Sequence, residues 1–270
     1  MIIDAHLHNN FQDEKLQVTA AENHINLTLE GLQDEMVENR VDFAIAIWSD
    51  LPSIESRAPD ITAREIYEQP PCNNLFYVAP VNPYADHEAQ MEIIDALLKE
   101  HRIVGLKIYL GYYHFFPTDP IFTWVYEIAE KYGVPVIFHT GDTFSRVAKL
   151  KYAHPLLIDE VAVDFPYTKF VIAHFGSPWV MDAAEVIYKN DNVYADLSGW
   201  ILGNNLEDVP FDQIKVALNY CGYKHLMYGS DWPLTPMMTY LRVIGELIPP
   251  EFAENVFYTT ARDLFHIGTS

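Results

Sequence analysis

The chain has 270 residues, a formal net charge of −21 at pH 7 and a hydrophobic fraction of 50%. This length allows one or two domains, and an α/β barrel of ~250 residues would occupy it as a single domain. The acidic charge argues against nucleic acid as a partner, because the phosphate backbone is itself strongly negative. It says little about a small-molecule substrate, because the local field of a pocket can oppose the charge of the whole chain.

The two cysteines, Cys72 and Cys221, lie far apart and form no Cys-x-x-Cys motif. They indicate neither a disulfide framework nor a cysteine zinc site, and they favour a reducing cytoplasm. No basic segment followed by an apolar core opens the chain, and no apolar run is long enough to span a bilayer. We therefore expect a cytoplasmic protein without a membrane partner, and the sequence leaves a homo-oligomer open.

Short apolar segments alternate with helical patterns along the whole chain. The segments are almost continuously apolar, as expected of parallel strands that are buried on both faces. The predicted strands are Met1–Ala5, Phe43–Ile47, Leu75–Val81, Val104–Ile108, Val134–Phe138, Phe170–Ala173, Val193–Ala195 and Leu226–Tyr228. The predicted helices are Leu27–Asn39, His87–His101, Ile121–Lys131, Pro155–Val163, Trp179–Lys189, Phe211–Tyr220 and Met238–Leu247. Eight β–α units without a linker predict one (β/α)8 TIM barrel, a single domain over residues 1–270.

Local signals mark some of the helix ends. Asp119-Pro120 predicts an N-cap followed by the first helical residue, and Gly133 predicts the end of the same helix. Two connections are longer than a barrel needs: residues 9–26 are polar and irregular in pattern, and residues 49–74 contain prolines. In the second of them, Thr62 and Glu65 have the spacing of a capping box. Both connections follow strands, so they are candidate pocket walls or lids, or surface insertions without a role.

The first predicted strand ends in Asp4-Ala5-His6-Leu7-His8. In a strand, residues i and i+2 share a face and lie roughly 6.6 Å apart. Two imidazoles so placed can bind one metal ion, each at about 2.0–2.1 Å. An isolated His-x-His is more often incidental, so the motif depends on partners elsewhere in the chain.

Polar residues at the ends of other predicted strands supply such partners. His139 ends the fifth strand, His174 ends the sixth, Asp231 follows the eighth, and Lys107 lies near the end of the fourth. Each one alone could be a core histidine, a helix cap or a surface cation. Together with the His-x-His motif they predict a metal centre, because active sites of barrels form at the C-terminal ends of the strands.

These segments resemble the amidohydrolase superfamily of metal-dependent barrel enzymes. The sequence looks most like the amidohydrolase-related (amidohydrolase 2) branch, which holds hydrolases alongside decarboxylases such as aminocarboxymuconate semialdehyde decarboxylase. The similarity covers Asp4–His8, Phe138-His139-Thr140-Gly141, Ala173-His174-Phe175-Gly176, Asn192–Gly199, Gly229-Ser230-Asp231-Trp232-Pro233 and Thr260–Phe265.

The resemblance implies roles for these residues. His174 would be the base that activates or orients a metal-bound water, and Asp231 would be both ligand and catalytic residue. Imidazole and carboxylate suit Zn²⁺, which keeps one position open in catalytic sites. Lys107 either stands unmodified beside one metal, which we favour, or is carbamylated and bridges two. The implied metal ligands are His6, His8, His139 and Asp231.

Aromatic residues follow several strands and indicate a pocket for a small molecule, aromatic or carboxylated. They could equally plug the mouth of the barrel. Arg146 could meet a substrate carboxylate. The candidate pocket residues are Lys107, Tyr109, Arg146, Trp179 and Trp200.

The sequence thus predicts a metal-dependent hydrolase of a small-molecule amide, ester or lactone that uses a metal-activated water. The alternative is a metal-dependent decarboxylase of an aromatic or enoic acid on the same scaffold. A metal-binding barrel without catalysis is disfavoured, because it would not need the proton carrier His174.

Overall fold

The computed structural model describes residues 1–49, 51–69, 72–201, 206 and 209–268, and of residues 51–53 the backbone alone. Within these ranges, eight parallel strands pair in sequence order, each with the next. The architecture is the predicted (β/α)8 TIM barrel. The strands are β1 Ile3–Leu7, β2 Phe43–Ile47, β3 Leu75–Val81, β4 Gly105–Ile108, β5 Val136–Phe138, β6 Phe170–Ile172, β7 Val193–Asp196 and β8 Leu226–Met227.

Backbone hydrogen bonds join the first strand to the last and close the barrel. Ala5 N–H donates to the carbonyl of Tyr228 at 2.9 Å, and Asp231 N–H donates to the carbonyl of His6 at 2.8 Å. His8 N–H donates to Trp232 O at 2.7 Å. The same contacts hold the segment after β8 against the end of β1, so they bring Asp231 beside the two histidines.

Helices cover the outside of the strands and explain why the strands are apolar on both faces. Val180, Ala183, Ala184 and Ile187 of one such helix are buried at the spacing of a single helical face. The helices are α1 Glu14–Glu22, α2 Leu29–Glu38, α3 Leu51–Ser56, α4 His87–Lys99, α5 Thr123–Tyr132, α6 Leu157–Asp164, α7 Val180–Lys189, α8 Phe211–Cys221, α9 Met237–Leu247 and α10 Thr260–Leu264. None of the described helices is both long and apolar enough to cross a membrane.

A bulge in β1 reverses the direction in which its side chains face. Asp4 pairs with Ala44 and Leu7 with Ala46, so three steps along β1 match two steps along β2. Ile3 therefore packs in the inner apolar cluster, whereas Leu7 packs in the outer one under the helices. With regular alternation, Ile3 and Leu7 would share a face. The extra residue turns His6 and His8 towards the inside of the barrel.

Two local predictions were wrong. Residues 9–26 were predicted to be irregular, but they contain α1. Asp13 is the N-cap of this helix and accepts hydrogen bonds from the N–H groups of Lys15 and Leu16. Thr62 begins a 3₁₀ helix, Thr62–Glu68, instead of capping it, and no side chain caps that helix. The prediction for Asp119-Pro120 is confirmed in position: Asp119 is the N-cap residue of the 3₁₀ helix Pro120–Phe122, and Pro120 is its first residue. The carboxylate of Asp119 makes no capping bond and accepts from Phe116 N–H at 2.7 Å. The prediction for Gly133 is confirmed: it ends α5 with φ of 69°.

Candidate metal centre and its pocket

Five side chains from the ends of β1, β5, β6 and β8 meet inside the mouth of the barrel. The imidazole centroid of His6 lies 5.3 Å from that of His8 and 4.8 Å from that of His174. The ring of His139 lies 5.0 Å from the ring of His174. Ligand atoms of His6, His174 and Asp231 all lie within 4.8 Å of one another. This group thus includes His174, the residue to which the sequence assigned the role of base.

Hydrogen bonds to backbone carbonyls determine which nitrogen of His8 and of His139 carries the proton. Nδ1 of His8 lies 2.9 Å from the carbonyl of Ile47, and Nε2 of His139 lies 2.8 Å from the carbonyl of Asp142. A carbonyl only accepts, so each of these nitrogens donates. In the neutral rings, the other nitrogen, Nε2 of His8 and Nδ1 of His139, keeps a lone pair for a metal. Such outer contacts orient metal-binding histidines.

His6 is oriented by a carboxylate. Its Nδ1 lies 2.8 Å from Oδ2 of Asp196, and both side chains are buried. Burial lowers the pKa of His6, more than Asp196 raises it, so the ring is neutral and Nδ1 donates. Nε2 of His6 then has a lone pair, and it has no hydrogen-bond partner.

The atoms of His6 and Asp231 show whether a cation fits at this centre. Oδ1 of Asp231 is also buried without a hydrogen-bond partner. It lies 3.8 Å from Nε2 of His6 and 3.2 Å from Nε2 of His8. Burial raises the pKa of Asp231, but His174 and the other histidines hold it well below its ordinary range, so the carboxylate is ionised. Converging, unsatisfied lone pairs at a buried carboxylate are what a bound divalent cation would satisfy.

His174 is held by a chain of two hydrogen bonds. Oγ of Ser198 donates its only proton to Oδ1 of Asp196, so it must accept from Nδ1 of His174, 2.8 Å away. Nε2 of His174 is therefore the basic nitrogen. Burial, together with His6, lowers the pKa of His174 to about 3, although Asp231 opposes the shift. The ring is neutral at physiological pH, so Nε2 carries a lone pair.

Both His174 and Asp231 have left-handed backbones, with φ of 59° and 58°. This conformation costs a non-glycine residue roughly 1–2 kcal/mol. Hydrogen bonds hold it in place: His174 N–H donates to Oδ1 of Asp196 at 3.1 Å, and Asp231 N–H donates to His6.

Lys107 lies next to this group and is fully buried. Its Nζ has no hydrogen-bond partner and stands 5.3 Å from the ring centroid of Tyr109. Burial lowers the pKa of Lys107 to about 8, against the opposing charges of Asp196 and Asp231. A larger share of this amine is therefore uncharged at neutral pH than in an exposed lysine.

A cavity of about 640 Å³ opens above the centre, a volume suited to a small-molecule ligand. Of the pocket residues predicted from the sequence, Tyr109, Trp179 and Trp200 line it. Lys107 does not line it, and Arg146 is exposed outside it. The two long connections form part of the wall, through Lys15, Leu16 and Thr19 on one side and Ser49 and Glu55 on the other.

Sequence reasoning missed two residues of the site. Asp196 and Ser198 were part of the segment that carries the resemblance, but they received no role. The available signal was their position, because a polar Asp-x-Ser follows an apolar strand as His139 and His174 do. The structure shows that Asp196 accepts hydrogen bonds from both His6 and Ser198.

Three solved structures share this fold over nearly the whole chain. An uncharacterised TIM-barrel protein from Bordetella bronchiseptica is 19% identical, with a TM-score of 0.76, and the match covers 100% of this chain and 99% of that one. A putative 2-pyrone-4,6-dicarboxylic acid hydrolase from Pseudomonas putida is 17% identical, with a TM-score of 0.68 and coverages of 99% and 98%. A dihydroxybenzoic acid decarboxylase from a Polaromonas species, which has bound manganese and the inhibitor 2-nitroresorcinol, is 14% identical, with a TM-score of 0.70 and coverages of 100% and 98%.

A sequence search of curated proteins gave no significant match. The similar structures include a putative hydrolase and a decarboxylase, and at 14–17% identity they show a shared fold. The sequence profile of the amidohydrolase family matches residues 3–267. The chain is therefore a member of the amidohydrolase family.

Proposed function

We propose that the chain is a metal-dependent hydrolase of a small-molecule amide, ester or lactone. One divalent cation, which we propose to be Zn²⁺, would supply Lewis acidity and lower the pKa of a water to about 7 when bound. His174 would act as the base. The residues that would hold the cation are His6, His8, His139 and Asp231.

The observation that supports the proposal most is the neutral base beside unsatisfied ligand atoms. His174 has its Nδ1 proton committed to Ser198, so Nε2 can take a proton from water as the water oxygen bonds to the acyl carbon. The C–O or C–N bond of the substrate then breaks, and the same nitrogen can return the proton to the leaving oxygen or nitrogen. A barrel that only bound metal would have no use for this arrangement.

The competing function is decarboxylation. It requires a cation that holds the carboxylate of the substrate, and the candidates were Lys107 and Arg146. Arg146 is exposed and Lys107 does not line the cavity, so hydrolysis needs fewer unsupported residues. We also propose one metal with an unmodified Lys107, and not two metals bridged by a carbamylated one, because one metal requires no modified residue.

Cys72 and Cys221 are free thiols, and we propose a cytoplasmic location.

The test is a substrate panel on protein whose metal content has been measured. Lactones, esters, amides and aromatic carboxylic acids are incubated with wild type and with His174→Asn, and acid formation and CO₂ release are both followed. We expect hydrolysis by wild type alone, lost on metal removal and restored by Zn²⁺. Metal-dependent CO₂ release from the aromatic acids, with the lactones, esters and amides left intact, would establish decarboxylation instead.

A further inference from the structure

We infer that the cavity selects substrates without a net charge, an inference that rests on the proposed hydrolase function. The observation behind it is the distribution of charged side chains around the cavity. Many small metabolites are anions, and a pocket that binds an anion normally presents lysine or arginine to it. The wall of this cavity presents almost none.

Lys15 is the one lysine or arginine among the described residues that line the cavity. Its Nζ forms an ion pair with the carboxylate of Glu55, which lines the cavity too. The positive charge is thus neutralised within the wall itself. The sequence adds no other candidate, because positions 50–53, 70–71, 202–205, 207–208 and 269–270 include no lysine or arginine.

Two basic residues elsewhere near the mouth make their contacts outside the cavity. Nη2 of Arg57 lies 3.0 Å from Nε2 of His114, and Nζ of Lys151 lies 4.5 Å from the ring centroid of Tyr152. Neither Arg57 nor Lys151 lines the cavity. Arg57 and Lys151 therefore add no positive charge to the wall of the cavity.

Away from the metal centre, the rest of the wall is apolar or uncharged except for the carboxylate of Asp142, which adds negative charge. Leu16, Phe144, Trp179 and Trp200 contribute apolar surface, and the hydroxyl of Tyr112 contributes a neutral polar group. An anion that entered would lose hydration and gain no unpaired cation away from the metal centre. It would also face Glu55. An uncharged aromatic or aliphatic ester, amide or lactone loses little hydration and gains apolar contacts.

The inference can be tested with two esters of nearly equal size, 4-(methylsulfonyl)phenyl acetate, which is uncharged, and 4-acetoxybenzenesulfonate, which is an anion. The sulfone and the sulfonate are both weak metal ligands, so coordination does not bias the comparison. We expect kcat/KM of the metal-loaded protein to be at least about tenfold higher for the sulfone, which corresponds to ~1.4 kcal/mol. The two phenol products are also titrated into the protein, with tryptophan fluorescence as the readout.

Glu55→Gln provides the decisive variant, because it keeps the shape of the side chain and leaves Lys15 unpaired. We expect it to raise kcat/KM for the sulfonate relative to the sulfone by about threefold or more. The matched control is Asp95→Asn, which removes one carboxylate paired with Lys99 and Lys131 on the outer helices. It changes the net charge by the same amount and should leave the ratio as in wild type.

The outcomes separate the two proposals. If the sulfonate is hydrolysed as well as the sulfone or better, the selection for uncharged substrates is wrong and the hydrolase stands. If neither these esters nor any member of the wider panel is hydrolysed, the hydrolase proposal fails. The binding of the two phenols then decides the inference by itself, because tighter binding of the sulfonate would overturn it. Equal shifts in the ratio for Glu55→Gln and Asp95→Asn would also overturn it, because Lys15 would have no specific role.

Discussion

Oγ of Ser198 lies 2.8 Å from Nδ1 of His174 and donates its own proton to Asp196. The same carboxylate accepts from Nδ1 of His6 through its other oxygen. One buried aspartate therefore orients a proposed metal ligand and a proposed base together. A change at Asp196 would disturb both groups, whereas a change at Ser198 affects the base alone.

The purified protein should contain about one tightly bound divalent cation per chain, and His8→Ala should lose it. The substitution removes one of four proposed ligands, whose Nε2 lies 3.2 Å from Oδ1 of Asp231. Metal content is measured by elemental analysis, with His87→Ala as control, because His87 is an exposed residue of α4. Equal metal in wild type and His8→Ala would show that the ligand assignment is wrong.

His174→Asn should keep the metal and reduce turnover about 10²–10⁴-fold, the usual effect of losing a general base. Asparagine suits the position because it tolerates the left-handed φ of 59°. Metal content and single-substrate kinetics are measured on the same preparation. Because the ligand atoms of His174, His6 and Asp231 lie within 4.8 Å of one another, loss of metal in this variant would assign His174 as a ligand instead.

Ser198→Ala should lower kcat about 10–100-fold, the scale of losing a contact that orients a site residue. KM and metal content should stay near the wild-type values, because Asp196 still holds His6. Ser145→Ala is the control, since Ser145 is a buried serine outside the chain of hydrogen bonds. A loss of metal in Ser198→Ala, or an equal loss of kcat in both variants, would argue against a role in orienting the base.

Gly199→Ala should destabilise the protein by roughly 1–2 kcal/mol or more and reduce activity. Gly199 has φ of 73°, and an added Cβ would lie 2.4 Å from Nδ1 of His174. Gly245→Ala is the matched control. Gly245 lies within α9, and no atom lies within 4 Å of a Cβ added there.

Because alanine is the better helix former, Gly245→Ala should stabilise the protein by about 0.5–1 kcal/mol. Thermal and denaturant unfolding measure both variants. Equal stability of the two would mean that the approach of Gly199 to His174 is not as close as the structure shows.

The sequence by itself determined the barrel and which polar side chains meet at its mouth. Strands buried on both faces must be nearly continuous in apolar residues, and this pattern is local, so it could be recognised without a structure. A polar group at the C-terminal end of such a strand, like His139 after β5, then stands out against its neighbours. Parallel strands bring all these ends to one face of the barrel, which is why the separate motifs could be combined.

Only the tertiary structure decided which way the side chains face. Regular alternation from Ile3 would have pointed His6 and His8 towards the helices, and the bulge against β2 turns them inward. The roles of Asp196 and Ser198 and the exclusion of Arg146 from the cavity likewise depend on residues distant in sequence. The register between strands and the packing of loops are set by hydrogen bonds and contacts across the fold, and a local periodicity of two residues carries no information about them.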